Sequence, residues 1–172
     1  MNKLYKIVIT ALFAALACVA TMIIKVPTVG TNGYVNIGDS IVLLCAWLIG
    51  GVYGGLAAGI GPALADLISG YPSYVLGTLV IKFLMGVAAY AVFKIVKKFN
   101  KIVAYVVSSI VAEIIMVFGY FIYENFLLGY GMAAAASIPS NAIQGITCIV
   151  IGLVLVVALD AAKVTTYLKK IV

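Results

Sequence analysis

Long apolar stretches dominate this chain, and short polar or glycine-containing segments separate them. The first stretch, residues 7–24, contains about 18 residues and is long enough to cross a bilayer as a helix. Long unbroken apolar runs are typical of membrane helices, whereas the strands of membrane barrels alternate apolar and polar residues. The pattern therefore predicts an all-α, polytopic membrane protein.

The central stretch, residues 34–74, contains the glycine-rich sequence GGVYGG at residues 50–55. It allows one long helix, or a hairpin of two short helices over residues 36–51 and 52–70. Lysine clusters discriminate between these alternatives, because positive charge favours the cytoplasmic side. Only the hairpin places all three clusters on that side: Lys3 and Lys6; Lys94, Lys97, Lys98 and Lys101; Lys163, Lys169 and Lys170. We therefore predict a six-transmembrane-helix bundle in one domain, residues 1–172, with cytoplasmic N- and C-termini.

The other predicted helices follow from the remaining apolar runs. The N-terminal run is longer than the apolar part of a usual signal peptide, so we interpret it as a retained first helix. Residues 25–38 are predicted to form an outer loop, and residues 124–131 a second one. The fourth and fifth helices are expected at residues 74–94 and 102–123. Pro139 suits the first turn of a sixth helix that ends near residue 162.

Composition supports the membrane assignment and narrows the chemistry. The chain is 66% hydrophobic and 9% charged, whereas about a quarter of a soluble domain is charged. The net charge of +6 comes from lysines alone, and we attribute it to topology and to anionic lipid rather than to nucleic acid. Because histidine and arginine are absent, histidine-based catalysis and guanidinium clamps are excluded. The three isolated cysteines indicate packing, and we expect no metal, no cofactor and no enzymatic activity.

Ionisable residues inside apolar helices are costly and are usually functional. Lys82 in the fourth helix and Glu113 in the fifth lie at similar depths from the outer ends of their helices. We therefore expect them to form an ion pair. This pair is either purely structural or part of a ligand site.

Other polar residues are expected at the same outer depth as this pair. Asn141 and Gln144 are three residues apart and so share one helical face. Together these side chains predict a pocket, open to the outside, for a small, flat, hydrogen-bonding solute. The candidate substrate-binding residues are Asn36, Asp39, Asp66, Tyr71, Tyr74, Lys82, Glu113, Tyr120, Asn141 and Gln144.

Small residues in the first helix form a possible helix-docking face. Ala11, Ala14, Ala15 and Cys18 lie on one side at helical spacing, which permits close approach of another helix. That neighbour is either a helix of this chain or a helix of a partner protein.

Several short motifs occur in a characteristic order. They are the stretch NIGD at residues 36–39, the glycine-rich segment at residues 50–61, Ala65-Asp66, and the A-x-x-x-A pattern of Ala11 and Ala15. The sequence resembles, over its whole length, the substrate-binding S components of energy-coupling-factor (ECF) vitamin transporters, in particular the riboflavin-type group. The resemblance implies six helices, a vitamin ligand, and a complex with a transmembrane T component and two ATPase subunits. It also implies that Ala11 and Ala15 contact the T component.

The identity of the vitamin is predicted from the residues that are expected to contact it. Riboflavin members of this family carry an Asn and a Lys at the start of the sixth helix, and here Gln144 replaces the Lys. Pyridoxine or hydroxymethylpyrimidine is therefore the leading expectation, with riboflavin and thiamin as alternatives. An autonomous small-solute carrier is the alternative outside this family. The expected location is the plasma membrane of a bacterium.

Overall fold

The computed structural model of the protein describes the backbone of residues 3–171 and the side chains as far as residue 168. The described residues are mainly helical and include one small hairpin of strands β1, Val26–Pro27, and β2, Tyr34–Val35. The described helices are α1 Lys3–Ile23, α2 Asp39–Leu44, α3 Gly51–Ile68, α4 Val75–Val96, α5 Lys101–Ile122, α6 Ile138–Ala161 and α7 Val164–Ile171.

Five helical segments of the described chain are long and apolar enough to cross a membrane. Two of them extend beyond the α-helices: α5 continues through a π-helical turn, Tyr123–Leu127, and a 3-10 turn, Gly131–Ser137, precedes α6. The segment after β2 is shorter, because α2 and its π-helical continuation cover only Asp39–Ile49. These 11 residues rise by about 16 Å, against about 30 Å for the hydrocarbon core. This helical segment is therefore shorter than the second transmembrane helix that the sequence predicts.

Glycines end this short segment and allow α3 to begin directly after it. Gly50 and Gly51 have φ angles of +72° and +55°, which favour glycine because it lacks a Cβ atom. A Cβ atom on Gly54 would lie 2.5 Å from the carbonyl oxygen of Cys45, so the two arms approach each other closely. The glycine-rich sequence thus forms the hairpin that the charge pattern favours.

The two ends of the bundle differ in charge. Lys6 near the start of α1 and Lys97 after α4 line the same cavity, so the first two lysine clusters lie at one end. We call this the lysine-rich end. In the third cluster, the side chains of Lys169 and Lys170 lie outside the described residues. Helix α7, which contains both residues, was not predicted from the sequence.

The small residues of helix α1 lie on two different faces. Ala14 and Ala17 are buried against α3, where a Cβ atom on Gly61 would lie 2.3 Å from the carbonyl oxygen of Ala14. Ala11 and Ala15 point away from this contact and are exposed. The predicted docking face is therefore divided, because Ala14 packs inside the chain while Ala11 and Ala15 remain on the surface.

Candidate functional site

A polar cavity lies at the end of the bundle opposite the lysine-rich end. Its walls come from the ends of the long helices and from the β1–β2 hairpin. The free volume inside is about 20 Å³, which is room for one or two water molecules. The lining residues are Thr21, Thr28, Gly33, Tyr34, Asn36, Pro62, Asp66, Tyr74, Thr78, Lys82, Tyr120, Glu124, Asn141 and Gln144.

A buried ion pair crosses the floor of this cavity. Lys82 Nζ lies 2.5 Å from Asp39 Oδ1, and the two side chains are 2% and 0% exposed. The amide of Gln144 donates to the other carboxylate oxygen of Asp39 at 2.5 Å, and Gln144 Oε1 accepts from the backbone N–H of Asn36 at 2.6 Å. This network joins α4, α2 and α6 to the segment that follows β2. Every charged atom in it has an oppositely charged or hydrogen-bonding partner, as buried charges require.

The ion pair predicted from the sequence, Lys82 with Glu113, is wrong. Lys82 pairs with Asp39 because α2 packs against both α4 and α6 and brings Asp39 between them. Glu113 is 5% exposed, and neither of its carboxylate oxygens has a hydrogen-bond partner among the described residues. It lies against Gly145 of α6, where an added Cβ atom would be 3.3 Å from Glu113 Oε2. Glu113 borders an apolar groove between α5 and α6 rather than the polar cavity.

Asp66 and two tyrosines form the second polar group. The hydroxyl of Tyr34 donates to Asp66 Oδ1 at 2.6 Å, and the rings of Tyr34 and Tyr71 have centroids 4.6 Å apart. Burial and the charge of Asp66 raise the pKa of the Tyr34 phenol above its usual value. The phenol therefore remains protonated and donates to Asp66.

Glu124 forms a third group, which the sequence analysis missed because this residue was assigned to a loop. The π-helical turn after α5 carries it inward, and it is 2% exposed. Tyr74 donates to Glu124 Oε1 at 3.0 Å and Ser137 donates to Oε2 at 2.6 Å. Burial and the adjacent carboxylate raise the pKa of Tyr74. The sequence around a single Glu in a polar segment does not show whether its carboxylate is buried or solvated.

The structure brings most of the sequence-predicted site residues together. Seven of the ten line the cavity: Asn36, Asp66, Tyr74, Lys82, Tyr120, Asn141 and Gln144. The other three are placed elsewhere. Asp39 lies behind Lys82, Tyr71 packs on Tyr34, and Glu113 faces the α5–α6 groove.

The cavity offers hydrogen-bonding groups and aromatic surface rather than reactive groups. Thr78 and Tyr120 share a hydroxyl hydrogen bond of 2.9 Å, and Lys82 Nζ lies 5.2 Å from the centre of the Tyr120 ring. Asn141 is 5% exposed and presents an amide to the cavity from the first turns of α6. Among the described residues, no group of three or more His, Cys, Asp or Glu side chains could hold a metal ion. Amides, phenols and carboxylates around one space are suited to binding a small polar ring.

A larger cavity, of about 360 Å³, lies at the lysine-rich end. Trp47 forms part of its wall, but the indole N–H is already bonded to Ser108 Oγ at 2.9 Å. The remaining walls are mainly aliphatic and aromatic, and the charged groups are Lys6 and Lys97. The smaller cavity is therefore the better candidate for a specific site, because more polar groups converge there.

Comparison with known proteins agrees with this architecture and confirms the family resemblance. The chain is 38% identical over 134 residues, 78% of its length and 87% of the other, to a Pyrococcus woesei protein described as an uncharacterized protein in a gap 3′ region. A solved structure, described as the S component of a bacterial ECF transporter, shares its fold with a TM-score of 0.65 at 21% identity, covering 93% of this chain and 98% of that one. The family model for the ECF-type riboflavin transporter S component matches residues 1–161. The chain therefore belongs to the ECF-type riboflavin transporter S component family.

Proposed function

We propose that this chain captures a water-soluble vitamin in the polar cavity and delivers it through an ECF complex. Members of its family are substrate-binding subunits of transporters rather than enzymes, and they work with a T component and ATPase subunits. The observation that carries the proposal is the convergence of seven sequence-predicted polar residues on one cavity. This convergence separates the site from the apolar grooves elsewhere on the bundle.

We propose that the cavity faces the outside of a bacterial plasma membrane. The cavity and the first two lysine clusters lie at opposite ends of the bundle. Lysine-rich segments favour the cytoplasmic side, so the polar cavity then opens outward. Both termini are cytoplasmic in this arrangement.

Loading the cavity requires the β1–β2 hairpin to move. The present free volume of about 20 Å³ is far below the roughly 300 Å³ or more of a ligand pocket. Thr28, Gly33 and Tyr34 contribute to the wall from this hairpin. Displacing them outward enlarges the cavity without disturbing the packed helices, and closing them again removes the ligand from water.

The ligand in this proposal is a flat, hydrogen-bonding heteroaromatic vitamin, and riboflavin is the first candidate. The family description supports riboflavin, and the expectation of pyridoxine or hydroxymethylpyrimidine has no support from that match. One observation keeps these smaller rings as the second candidates. The side chain of Gln144 is hydrogen-bonded to Asp39 and to the backbone of Asn36. Asn141 is therefore the side-chain amide of α6 that remains available to a ligand.

The exposed alanines of α1 are the proposed contact with the T component. Ala11 and Ala15 are exposed beside large apolar side chains such as Leu12 and Leu16. Small residues four apart permit a second helix to approach closely within a membrane.

The test is to identify the small molecule that the purified protein carries. The protein is purified in detergent and its bound compounds are identified by mass spectrometry. Riboflavin, pyridoxine, hydroxymethylpyrimidine and thiamin are then titrated by calorimetry. Saturable 1:1 binding of one of them supports the proposal, and absence of binding to all four contradicts it. Uptake in cells that lack ECF ATPase subunits distinguishes an S component, which should then fail, from an autonomous carrier, which should not.

A further inference from the structure

The polar cavity contains more acidic charge than basic charge. Its lysine, Lys82, is paired with Asp39 at 2.5 Å. Asp66 and Glu124 also line the cavity, and neither forms an ion pair with a described lysine. Two carboxyl groups are thus left without a cation.

These two carboxyl groups differ in their hydrogen bonds. Both oxygens of Glu124 accept from neutral hydroxyls, those of Tyr74 and Ser137. Asp66 is 4% exposed, and only its Oδ1 accepts a hydrogen bond, from Tyr34. Among the described residues, Asp66 Oδ2 has no hydrogen-bond partner. Thr78 lies nearby, and its hydroxyl shares a hydrogen bond with the hydroxyl of Tyr120 in which either oxygen can be the donor. A buried acceptor without a partner is costly, and a ligand donor would remove that cost.

Lys25 lies beside Tyr34 of the cavity wall, but it forms no ion pair with Asp66 or Glu124 among the described residues. Its ammonium group donates to Ser69 Oγ at 3.0 Å in an exposed contact and lies 5.9 Å from the centre of the Tyr34 ring. Lys25 itself is exposed, so water and salt screen its charge. The interior of the cavity therefore keeps its acidic character.

We infer that Asp66 Oδ2 accepts a hydrogen bond from a donor on the ligand, and that Asp66 and Glu124 together exclude phosphorylated forms of the vitamin. The ligand class is a neutral or cationic heteroaromatic that carries a ring N–H, an exocyclic amine or a hydroxymethyl group. A phosphate placed beside two uncompensated carboxyl groups would meet like charge in a site largely removed from water. This inference rests on the proposed function, because it concerns the same cavity.

The experiment compares each vitamin with its phosphate ester on the full-length purified protein. The pairs are riboflavin and riboflavin 5′-phosphate, pyridoxine and its 5′-phosphate, hydroxymethylpyrimidine and its phosphate, and thiamin and its monophosphate. For the pair that binds, we expect the free vitamin to bind at least about 100-fold more tightly than the ester. Equal affinities would overturn this inference while leaving vitamin capture intact. Binding of neither member of any pair would overturn both.

Asp66→Asn tests the donor contact and the charge together. Because Tyr34 donates to Oδ1, the new amide N–H₂ would face the ligand donor. We expect the affinity for the free vitamin to fall about tenfold and the preference over the ester to shrink. The matched control is Asp160→Asn. Asp160 is paired with Lys101 at a distance of 2.5 Å and does not line the cavity, so this variant should change neither value.

Glu124→Gln separates the two parts of the inference. It removes cavity charge without touching the open acceptor, so the affinity for the ester should rise relative to the affinity for the free vitamin. Thermal unfolding of each variant shows whether its binding is measured on folded protein. An unchanged ester preference in folded Glu124→Gln and Asp66→Asn proteins would refute the charge-exclusion role.

Discussion

Removing one partner of the buried pair of Lys82 and Asp39 should cost more stability than the intact pair contributes, and this can be measured with a double-mutant cycle. At 2.5 Å and an effective dielectric constant of about 20, the attraction between the two charges is on the order of 7 kcal/mol. Desolvation of both groups offsets most of this gain. The net contribution of the intact pair is therefore small, but removing one partner leaves the other charge buried and unpaired.

We expect Lys82→Met and Asp39→Asn each to lower the free energy of unfolding by about 3–5 kcal/mol. The double variant should cost less than the sum of the two, by at least about 2 kcal/mol. Unfolding can be followed in mixed detergent micelles by the fluorescence of Trp47, the one tryptophan, which is buried against Ser108.

Glu113→Gln is the informative control for this cycle. In the structure, Glu113 bonds to neither member of the pair, so its replacement should cost less than about 1 kcal/mol. Additive effects in the double variant would refute the Lys82–Asp39 pairing. A cost of 3–5 kcal/mol for Glu113→Gln would instead support the pairing with Lys82 predicted from the sequence.

Three further predictions concern topology, docking and the pocket. Cysteine introduced at Thr31 should react with an impermeant thiol reagent added outside cells and cysteine at Asn100 should not; outside labelling at Asn100 would contradict the orientation. Ala15→Leu should block uptake and leave vitamin binding unchanged. Ala14→Leu should instead destabilise the protein, because Ala14 is packed against α3. If the Ala15 variant loses vitamin binding together with uptake, docking of a partner helix at this face is contradicted. Asn141→Leu should weaken binding about 5- to 150-fold in calorimetric titrations without a matching loss of melting temperature, and wild-type affinity would place the ligand elsewhere.

The helices of this protein could be predicted from the sequence because segments that cross a bilayer must be apolar, and apolar runs are visible in the sequence. Backbone polar groups must be satisfied within each membrane segment, so a long apolar run has few alternatives to a helix. The predicted fourth helix, residues 74–94, corresponds to α4, Val75–Val96, and the fifth, residues 102–123, to α5, Lys101–Ile122. Most of the residues that line the polar cavity could be predicted for a related reason, because polar residues in such helices face protein rather than lipid.

The partner of Lys82 could not be predicted, because depth along a helix does not determine rotation about its axis. Lys82 and Glu113 are predicted at similar depths, yet Glu113 lies against Gly145 and borders the apolar groove between α5 and α6. The position of Asp39 depends on where α2 begins. That start is set by a local turn in which the side chain of Asn36 accepts from the N–H of Gly38 at 2.8 Å. A Cβ atom on Gly38 would overlap Thr21 of α1, so the turn is fixed by a tertiary contact.

Glu124 was missed for a different reason, which concerns how the chain leaves α5. The helix does not end at Ile122 but continues through a π-helical turn, Tyr123–Leu127, before the chain reaches α6. This turn places Glu124 next to Ser137 and Tyr74, residues that are 13 and 50 positions away in sequence. A short polar sequence cannot reveal such distant partners.

The shortness of the second helical segment and the hairpin wall of the cavity have a common structural cause. Because α2 begins only at Asp39, the chain before it remains non-helical and reaches the cavity as the β1–β2 hairpin. The backbone of Asn36, just after this hairpin, is bonded to Gln144, and Gln144 is bonded to Asp39, the partner of Lys82. The hairpin, which we propose to move, and the fixed part of the proposed site are therefore joined at Asn36. A ligand that displaces the hairpin can do so without breaking the buried ion pair, since the pair is anchored by α2, α4 and α6 and not by the strands.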